Sequence, residues 1–409
     1  MGDPVVSVVG IGADGWAGLP EPSRTALCEA QVLLGGRRQL DLLPTGDVRG
    51  VRRAWPSPLV PALPAILDDV AEQRVAVLAS GDPMFFGIGA TLARITGPER
   101  LRVLVHPSSV ALARARLGWG AEQVRVLSVV GRPLDRVRRV LAPGARLLVL
   151  SAGAGSPAAI AELLVAAGWG GSAMTVLERL GADDERSVTG TARGWRGDAD
   201  PLNVVAVECV PDPGTRPPGE TPGLPDDAYA HDGQLTKREV RAVTLAHLAP
   251  RAGELLWDVG AGSGSIGIEW MRAHPDCRAV AVESHPERSA RIPANAAALG
   301  VPDLRVVTGR APDALAGLAP PDVVFVGGGL TRPGVLDACL AALRPGGRLV
   351  ANAVTVQSEA VLAAAHATHG GDLVRVQVAR AEPVGGFDGW RPSMPVTIWS
   401  WTRTEGEQG

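Results

Sequence analysis

Short apolar runs recur along this chain, most closed by Gly, Ser, Asp or Pro. Between them lie longer stretches in which apolar residues return every third or fourth position. The short β-branched runs predict strands and the 3.6-residue recurrence predicts helices. In the first half the strands fall at Val5 to Val9, Val75 to Leu78, Leu101 to Val105, Val124 to Val130, Leu147 to Leu150, Thr175 to Leu177 and Val204 to Val207. Helices fall near Ser23 to Gln31, Leu63 to Gln73, Ser109 to Leu117 and Ser156 to Ala167. Ser156 reads as the N-cap of the last helix, Pro157 as its first residue and Gly168 as its stop.

The second half alternates more regularly. Helices are expected at Thr236 to His247, Ser265 to Ala273, Pro286 to Leu299, Pro333 to Leu343 and Ser358 to Thr368. Strands are expected at Leu255 to Val259, Ala279 to Val282, Leu304 to Thr308, Val323 to Val326 and Arg348 to Asn352. Two closing runs, Leu373 to Val378 and Pro395 to Trp401, have no helix between them and should pair antiparallel at one sheet edge. This makes an α/β chain whose second half is a doubly wound, seven-stranded sheet. Between the halves PDPGTRPPGETPGLP, Pro211 to Pro225, has the composition of an extended linker. The expected division is residues 1–210, a linker at 211–226, and residues 227–409.

Composition narrows the function classes. At 409 residues the chain suits two domains, and a formal net charge of −3 gives no basic excess for a nucleic-acid partner. Cys28, Cys209, Cys277 and Cys339 lie far apart in or beside apolar runs, reading as buried reduced thiols with no metal-ligand spacing. The start lacks a signal peptide's basic and apolar regions, and no apolar run approaches the roughly 20 residues of a membrane span. A cytoplasmic location away from membranes is therefore expected.

Asp258-Val259-Gly260-Ala261-Gly262-Ser263-Gly264 follows a predicted strand and opens a predicted helix. Glycines there let backbone approach a ligand at the carboxyl edge of a sheet. Glu283 ends the next strand, where a carboxylate takes two hydrogen bonds from a ribose diol. A dinucleotide oxidoreductase would share this geometry, but the third glycine comes one residue too early and nothing resembles a hydride-transfer site. In the first half Gly10-Ile11-Gly12-Ala13-Asp14 follows a strand, and Ser80-Gly81-Asp82 turns at the end of another and leads into Pro83.

The second-half loop, with an acid just before its first glycine, resembles the class I S-adenosylmethionine methyltransferases. With Gly233-Gln234-Leu235-Thr236-Lys237-Arg238-Glu239-Val240-Arg241 it resembles the C15-methylating, decarboxylating module of corrin synthesis, from about Asp227 to Thr402. That resemblance implies that Thr236, Gly260, Ala261, Gly262, Ser263, Gly264, Glu283 and Ala311 bind S-adenosylmethionine. Arg310 stands where an acid is common, and an arginine accepts no hydrogen bond from an adenine amino group.

The Gly10 and Ser80 stretches, together with Leu34 to Arg38, His106-Pro107-Ser108-Ser109 and Glu178 to Gly181, resemble the tetrapyrrole methylases and their C5-methylating module. The resemblance runs from about Pro4 to Val210 and implies two α/β lobes. It implies S-adenosylmethionine held by Ser80, Gly81, Asp82, Ser108 and Ser109, with Gly10 and Gly12 toward the tetrapyrrole.

The fusion implies methylation of a precorrin-6Y-type tetrapyrrole at carbons 5 and 15 and decarboxylation of an acetate arm to give precorrin-8X, with one cofactor per domain. It also implies a homo-oligomer, by analogy with relatives of both modules. Methyl transfer from a sulfonium to a ring carbon needs positioning more than acid–base help, so no catalytic triad is expected. Lys237, Arg238, Arg241 and Arg332 are candidate partners for substrate carboxylates, and Gly327, Gly328 and Gly329 for the flat macrocycle. An RNA- or protein-modifying methyltransferase and a non-catalytic binding protein are the competing classes.

Overall fold

The computed structural model describes residues 6–404; Val5, expected to open the first strand, lies outside the described residues. The chain divides into two compact units. One comprises the residues up to Arg132 with Ala142–Thr215, the other Pro133–Leu141 with the residues from Arg216 onward.

The first unit opens with β1 (Val6–Ile11), α1 (Glu21–Glu29), β2 (Val32–Gly35), α2 (Arg37–Asp41), β3 (Val51–Ala54), α3 (Leu63–Asp69), β4 (Val75–Ser80), α4 (Ile88–Thr96) and β5 (Leu101–Leu104). Its five strands are all parallel, in the order β3-β2-β4-β1-β5. Val9, Leu33 and Leu78 pack on one face and Val8, Leu34 and Val77 on the other. Both faces are covered, which is why the central strands read as unbroken apolar runs. The sequence reading lacks β2, α2, β3 and α4; β3 is largely exposed and carries two arginines.

A second lobe follows with α5 (Ser109–Leu117), β6 (Val124–Ser128), β7 (Arg146–Leu150), α6 (Ser156–Ala166), β8 (Ala173–Glu178), β9 (Arg186–Thr191) and β10 (Asn203–Glu208). The sheet order is β6-β7-β10-β8-β9, with only β6 and β7 parallel. Gly168 ends α6 in the left-handed region, as expected. The N-cap is Gly155 and not Ser156, whose hydroxyl is turned back to accept from Ala152 N at 3.0 Å. Cys28 departs from expectation too: it is exposed, lying on α1 just beyond the buried Leu27, while the other cysteines are buried.

The second unit contains α7 (Arg238–Leu248), β11 (Leu255–Val259), α8 (Ser265–Ala273), β12 (Arg278–Glu283), α9 (Pro286–Ala298), β13 (Arg305–Thr308) and β14 (Val323–Val326). It continues with α10 (Val335–Ala342), β15 (Arg348–Ala353), α11 (Val356–His369), β16 (Asp372–Val376), β17 (Ala379–Val384), β18 (Phe387–Pro392) and β19 (Val396–Thr402). Seven strands form one sheet, β13-β12-β11-β14-β15-β19-β16, antiparallel only where β19 meets β15 and β16. The expected closing antiparallel pair is present, but the last strand inserts inside β16. Between them β17 and β18 form a separate hairpin about Gly385-Gly386, absent from the sequence reading.

Pro133–Leu141, inside the first half by sequence, clusters with the second unit. There Arg136 Nε lies 2.7 Å from Asp303 Oδ2, and Arg139 Nη2 donates to the Arg272 carbonyl at 3.0 Å. In the proline-rich stretch Asp212 accepts from Gly170, Gly171 and Arg193, whereas the Gly223 and Leu224 amides donate to Glu269. The part around Gly219 and Glu220 is exposed. Among the described residues no helix is long and apolar enough to cross a membrane.

Candidate active sites

In the second unit β11 ends at the buried Val259 and the chain turns through Gly260–Gly264 into α8. Gly260, Gly262 and Gly264 have φ of +74°, +59° and +79°, a region that strains any residue with a Cβ. At Gly260 a Cβ would meet the Gly328 nitrogen at 2.6 Å, so two glycine stretches close on each other. Asp258 lies buried beneath the loop; its Oδ2 accepts from Gly267 N at 2.9 Å and its Oδ1 has no partner. Burial, with the Glu283 charge adding to it, pushes the Asp258 carboxyl up to about 7.

Glu283 closes the neighbouring β12. Its Oε2 accepts from Gly262 N at 2.7 Å and its Oε1 from His285 N at 2.8 Å, so the loop and the acid fix each other. Only 5% exposed, the carboxylate still borders a cavity of about 720 Å³ along the carboxyl edge of the sheet. Thr236, Lys237, Gly260, Ala261, Gly262, Arg310, Ala311, Gly327, Gly328, Gly329 and Arg332 also line it, with Lys237 Nζ 4.0 Å from Asp226 and Arg332 Nη2 3.4 Å from Asp313, both exposed enough to exchange partners.

Four expected site residues stand off this wall. Ser263 is buried below the loop, and Gly264 caps α8 with Ile292 filling the space a Cβ would need; both shape the turn. Arg241, expected to meet substrate, is fully buried. Its Nε pairs with Glu269 at 2.6 Å, its guanidinium covers the Tyr229 ring, and its Nη1 donates to the Thr236 carbonyl at 2.5 Å. A buried arginine committed to a buried carboxylate is not available to a ligand; Arg241 fixes the wall from behind. Arg238 is exposed and off the cavity. Asn352, Arg288, Arg380 and several valines border the cavity without any sign in the sequence, because they come from separate elements.

In the first unit the predicted turns do meet. Gly81 N donates to Ile11 O at 3.0 Å, a Cβ on Gly10 would fall 2.0 Å from Gly81 O, and one on Gly81 would fall 3.0 Å from Ser108 Cα. The side chains are largely engaged. Ser80 Oγ accepts from Gln39 at 2.7 Å and Arg38 at 3.1 Å, Asp82 Oδ1 accepts from Met84 N at 2.8 Å, and Ser108 caps α5 through Ala111 N at 3.1 Å. Ser109 is the first residue of α5. Beside Gly12 the buried His106 places Nε2 3.1 Å from Asp14 Oδ1. His106 belongs to a stretch the sequence singled out, but nothing in the sequence pointed to Gln39.

Two family models match the chain: Tetrapyrrole (Corrin/Porphyrin) Methylases over residues 5–194 and Precorrin methyltransferase domain over residues 227–403. A Sinorhizobium protein named Precorrin-6Y C(5,15)-methyltransferase (decarboxylating) is 52% identical over 403 residues, covering 98% of this chain and 97% of that one. A protein of the same name from Mycobacterium tuberculosis (strain CDC 1551 / Oshkosh) is 49% identical over 405 residues, covering 98% and 100%. Among solved structures, the C-terminal domain of precorrin-6Y C5,15-methyltransferase from Rhodobacter capsulatus matches at 48% identity, covering 45% of this chain and all of that domain, with a TM-score of 0.43.

Proposed function

The chain belongs to the precorrin-6Y C(5,15)-methyltransferase (decarboxylating) family, and from that premise we propose that its two units divide the work, the first methylating carbon 5 and the second methylating carbon 15 and decarboxylating. The protein is a methyltransferase of cobalamin biosynthesis that also decarboxylates its tetrapyrrole substrate. S-adenosylmethionine supplies the methyl group as an electrophilic carbon on a sulfonium. The product in this reading is precorrin-8X.

One cofactor binds per unit in this reading. In the second, Glu283 takes the ribose hydroxyls on lone pairs left free by Gly262 N and His285 N. Thr236, Gly260, Ala261 and Ala311 complete the wall, with Ser263 and Gly264 setting the turn. In the first, the Ser80-Gly81-Asp82 turn and Ser108-Ser109 serve the cofactor, and Gly10 and Gly12 face the tetrapyrrole. Lys237 and Arg332 take substrate carboxylates, and Gly327 and Gly328 admit the macrocycle against bare backbone. A cytoplasmic homo-oligomer without a nucleic-acid partner completes the proposal.

The carrying observation is Glu283 pinned by two backbone amides on the wall of a 720 Å³ cavity. It is an acceptor pre-organised for a diol, inside the size range of small-molecule sites. Mass spectrometry of the purified tetrapyrrole intermediate, incubated with enzyme and S-adenosylmethionine, tests the whole. Two methyl groups gained and one carbon dioxide lost is the expected product; an unchanged intermediate rules the proposal out.

A further inference from the structure

The reading above gives the first unit only bare backbone, at Gly10 and Gly12, to meet a flat, conjugated ring that carries carboxylates. The sheet beneath offers more. The chain leaves β1 for β2 through α1, whose Leu27 packs on one face, and leaves β4 for β5 through α4, whose Leu92 packs on the other. Adjacent parallel strands whose connections part to opposite faces open a ligand crevice at their carboxyl ends.

At that edge large apolar side chains stand in solvent. Met84, Phe85 and Phe86 come directly after the Ser80-Gly81-Asp82 turn and are 45%, 38% and 47% exposed. Val105 after β5 and Val130 after β6 are more than half exposed. The loop after β4 is nonetheless ordered by its own backbone: Phe85 N donates to Asp82 O at 3.2 Å and Gly89 N to Pro83 O at 2.9 Å. Phe86 has a φ of +53°, a conformation that a residue with a Cβ keeps only where its surroundings impose it. Two aromatic rings are therefore held outside the core, perpendicular to each other with centroids 5.1 Å apart.

A cation accompanies them. Arg132, on the loop after β6, brings its guanidinium 5.2 Å from the centroid of the Phe86 ring, and no described carboxylate pairs with it. Asp82, the acid at the start of the aromatic loop, turns Oδ1 back to accept from Met84 N at 2.8 Å. A guanidinium over an exposed ring is held more weakly than one on a carboxylate, so Arg132 is free to exchange the ring for an acid.

We propose that Phe85, Phe86 and Arg132 form the platform on which the first unit receives its tetrapyrrole, with the ring against the two aromatic side chains and one carboxylate on Arg132. The inference rests on the carbon-5 methylation reading of that unit. A conjugated face suits aromatic side chains, and a guanidinium matches a carboxylate through two parallel hydrogen bonds. An uncharged apolar ligand would leave the arginine unused. The patch also begins at the turn assigned to the cofactor, where the acceptor carbon has to lie.

The test uses the full chain with tetrapyrrole intermediate and S-adenosylmethionine. Mass spectrometry reads the units separately, because product that has lost carbon dioxide but gained a single methyl group marks failure at carbon 5 alone. Phe86→Leu keeps an apolar side chain without the ring, and Arg132→Gln removes the charge; both sites are exposed, so the fold is kept. Each should raise KM for carbon-5 methylation about threefold to tenfold, with kcat changed less than about twofold and carbon-15 methylation and thermal melting unaltered. Phe86→Tyr, which restores a ring, should bring KM back to within about twofold of the wild type. Salt should raise the wild-type KM and affect Arg132→Gln much less. An unchanged KM in either Phe86→Leu or Arg132→Gln overturns the platform. So does dissociation of an oligomer by Phe86→Leu in sedimentation, which would make the patch a contact between copies of the chain. A wild-type enzyme that gains no methyl groups overturns the underlying reading, and the platform falls with it.

Discussion

Both units place glycines at the carboxyl ends of parallel strands, yet the glycines do different work. In the second unit Gly260 lets its loop close on Gly328 while a cavity stays open beside the loop, and Glu283 is held on the wall by the loop's own amide. In the first unit Gly10, Gly81 and Ser108 close on one another, and the hydroxyls of Ser80 and Ser108 are already engaged. A glycine motif thus announces close backbone approach. What approaches, another strand or a ligand, depends on the neighbouring elements.

The largest expected effect separates the units directly. Gly10→Ala places a methyl group 2.0 Å from the Gly81 carbonyl, where only backbone can give way. Carbon-5 methylation should disappear and hydrogen exchange should rise across β1 and β4, while carbon-15 methylation continues. Normal carbon-5 activity in this variant would mean that the contact is not needed. Next in size is Glu283→Gln, which removes charge from hydrogen bonds worth about 1.5 to 3 kcal/mol each. Calorimetry should show cofactor affinity in the second unit falling about ten- to a hundredfold. Carbon-15 methylation should fall with it at low cofactor and carbon-5 methylation should not; equal losses in both would break the division of labour.

A subtler contrast lies beneath the loops. The unfolded chain loses the Asp258 proton near the ordinary value of about 4, whereas the folded chain keeps it to about 7. The folded state therefore binds the extra proton in that window. Stability should fall as pH rises through it, by at most about 1.4 kcal/mol per pH unit, and level off above. Asp258→Asn should flatten this slope in denaturant midpoints measured between pH 4 and 7. The first unit has Val9 before its glycine and no such titration. A slope that survives in the variant assigns the effect to another group. Smallest is Ser108→Ala, which removes the N-cap of α5 and should cost about 1 kcal/mol of stability. If thermal melting shifts but cofactor affinity does not, Ser108 is a cap only; a joint loss supports the binding role.

Legibility followed the strength of local periodicity. The central strands of both parallel sheets and the Gly260 loop are plain in the chain because both faces of each strand are buried and the turn admits only glycine. The hairpin of β17 and β18 was missed because its strands, ARAEPV and FDGWRP, mix charge with proline and glycine; the Gly385-Gly386 pair was the one available signal. The cysteines misled once: Cys28 beside Leu27 looks buried in sequence, but adjacent helix positions point about 100° apart.

Tertiary structure alone decided which polar groups are available. Lys237 and Arg241 stand one helical turn apart and look alike in sequence. Lys237 borders the cavity, while Arg241 points into a core holding Tyr229, from the segment before its helix, and Glu269, 28 residues further along on α8. The same applies to Asn352, whose bare oxygen follows from Thr244 already bonding to the Val240 carbonyl. The chain by itself determined its central strands, its glycine turns and its family, since these rest on neighbours in sequence. Which donors and acceptors remain open to a ligand depends on distant residues that satisfy or bury them, and that is settled only when the sheets assemble.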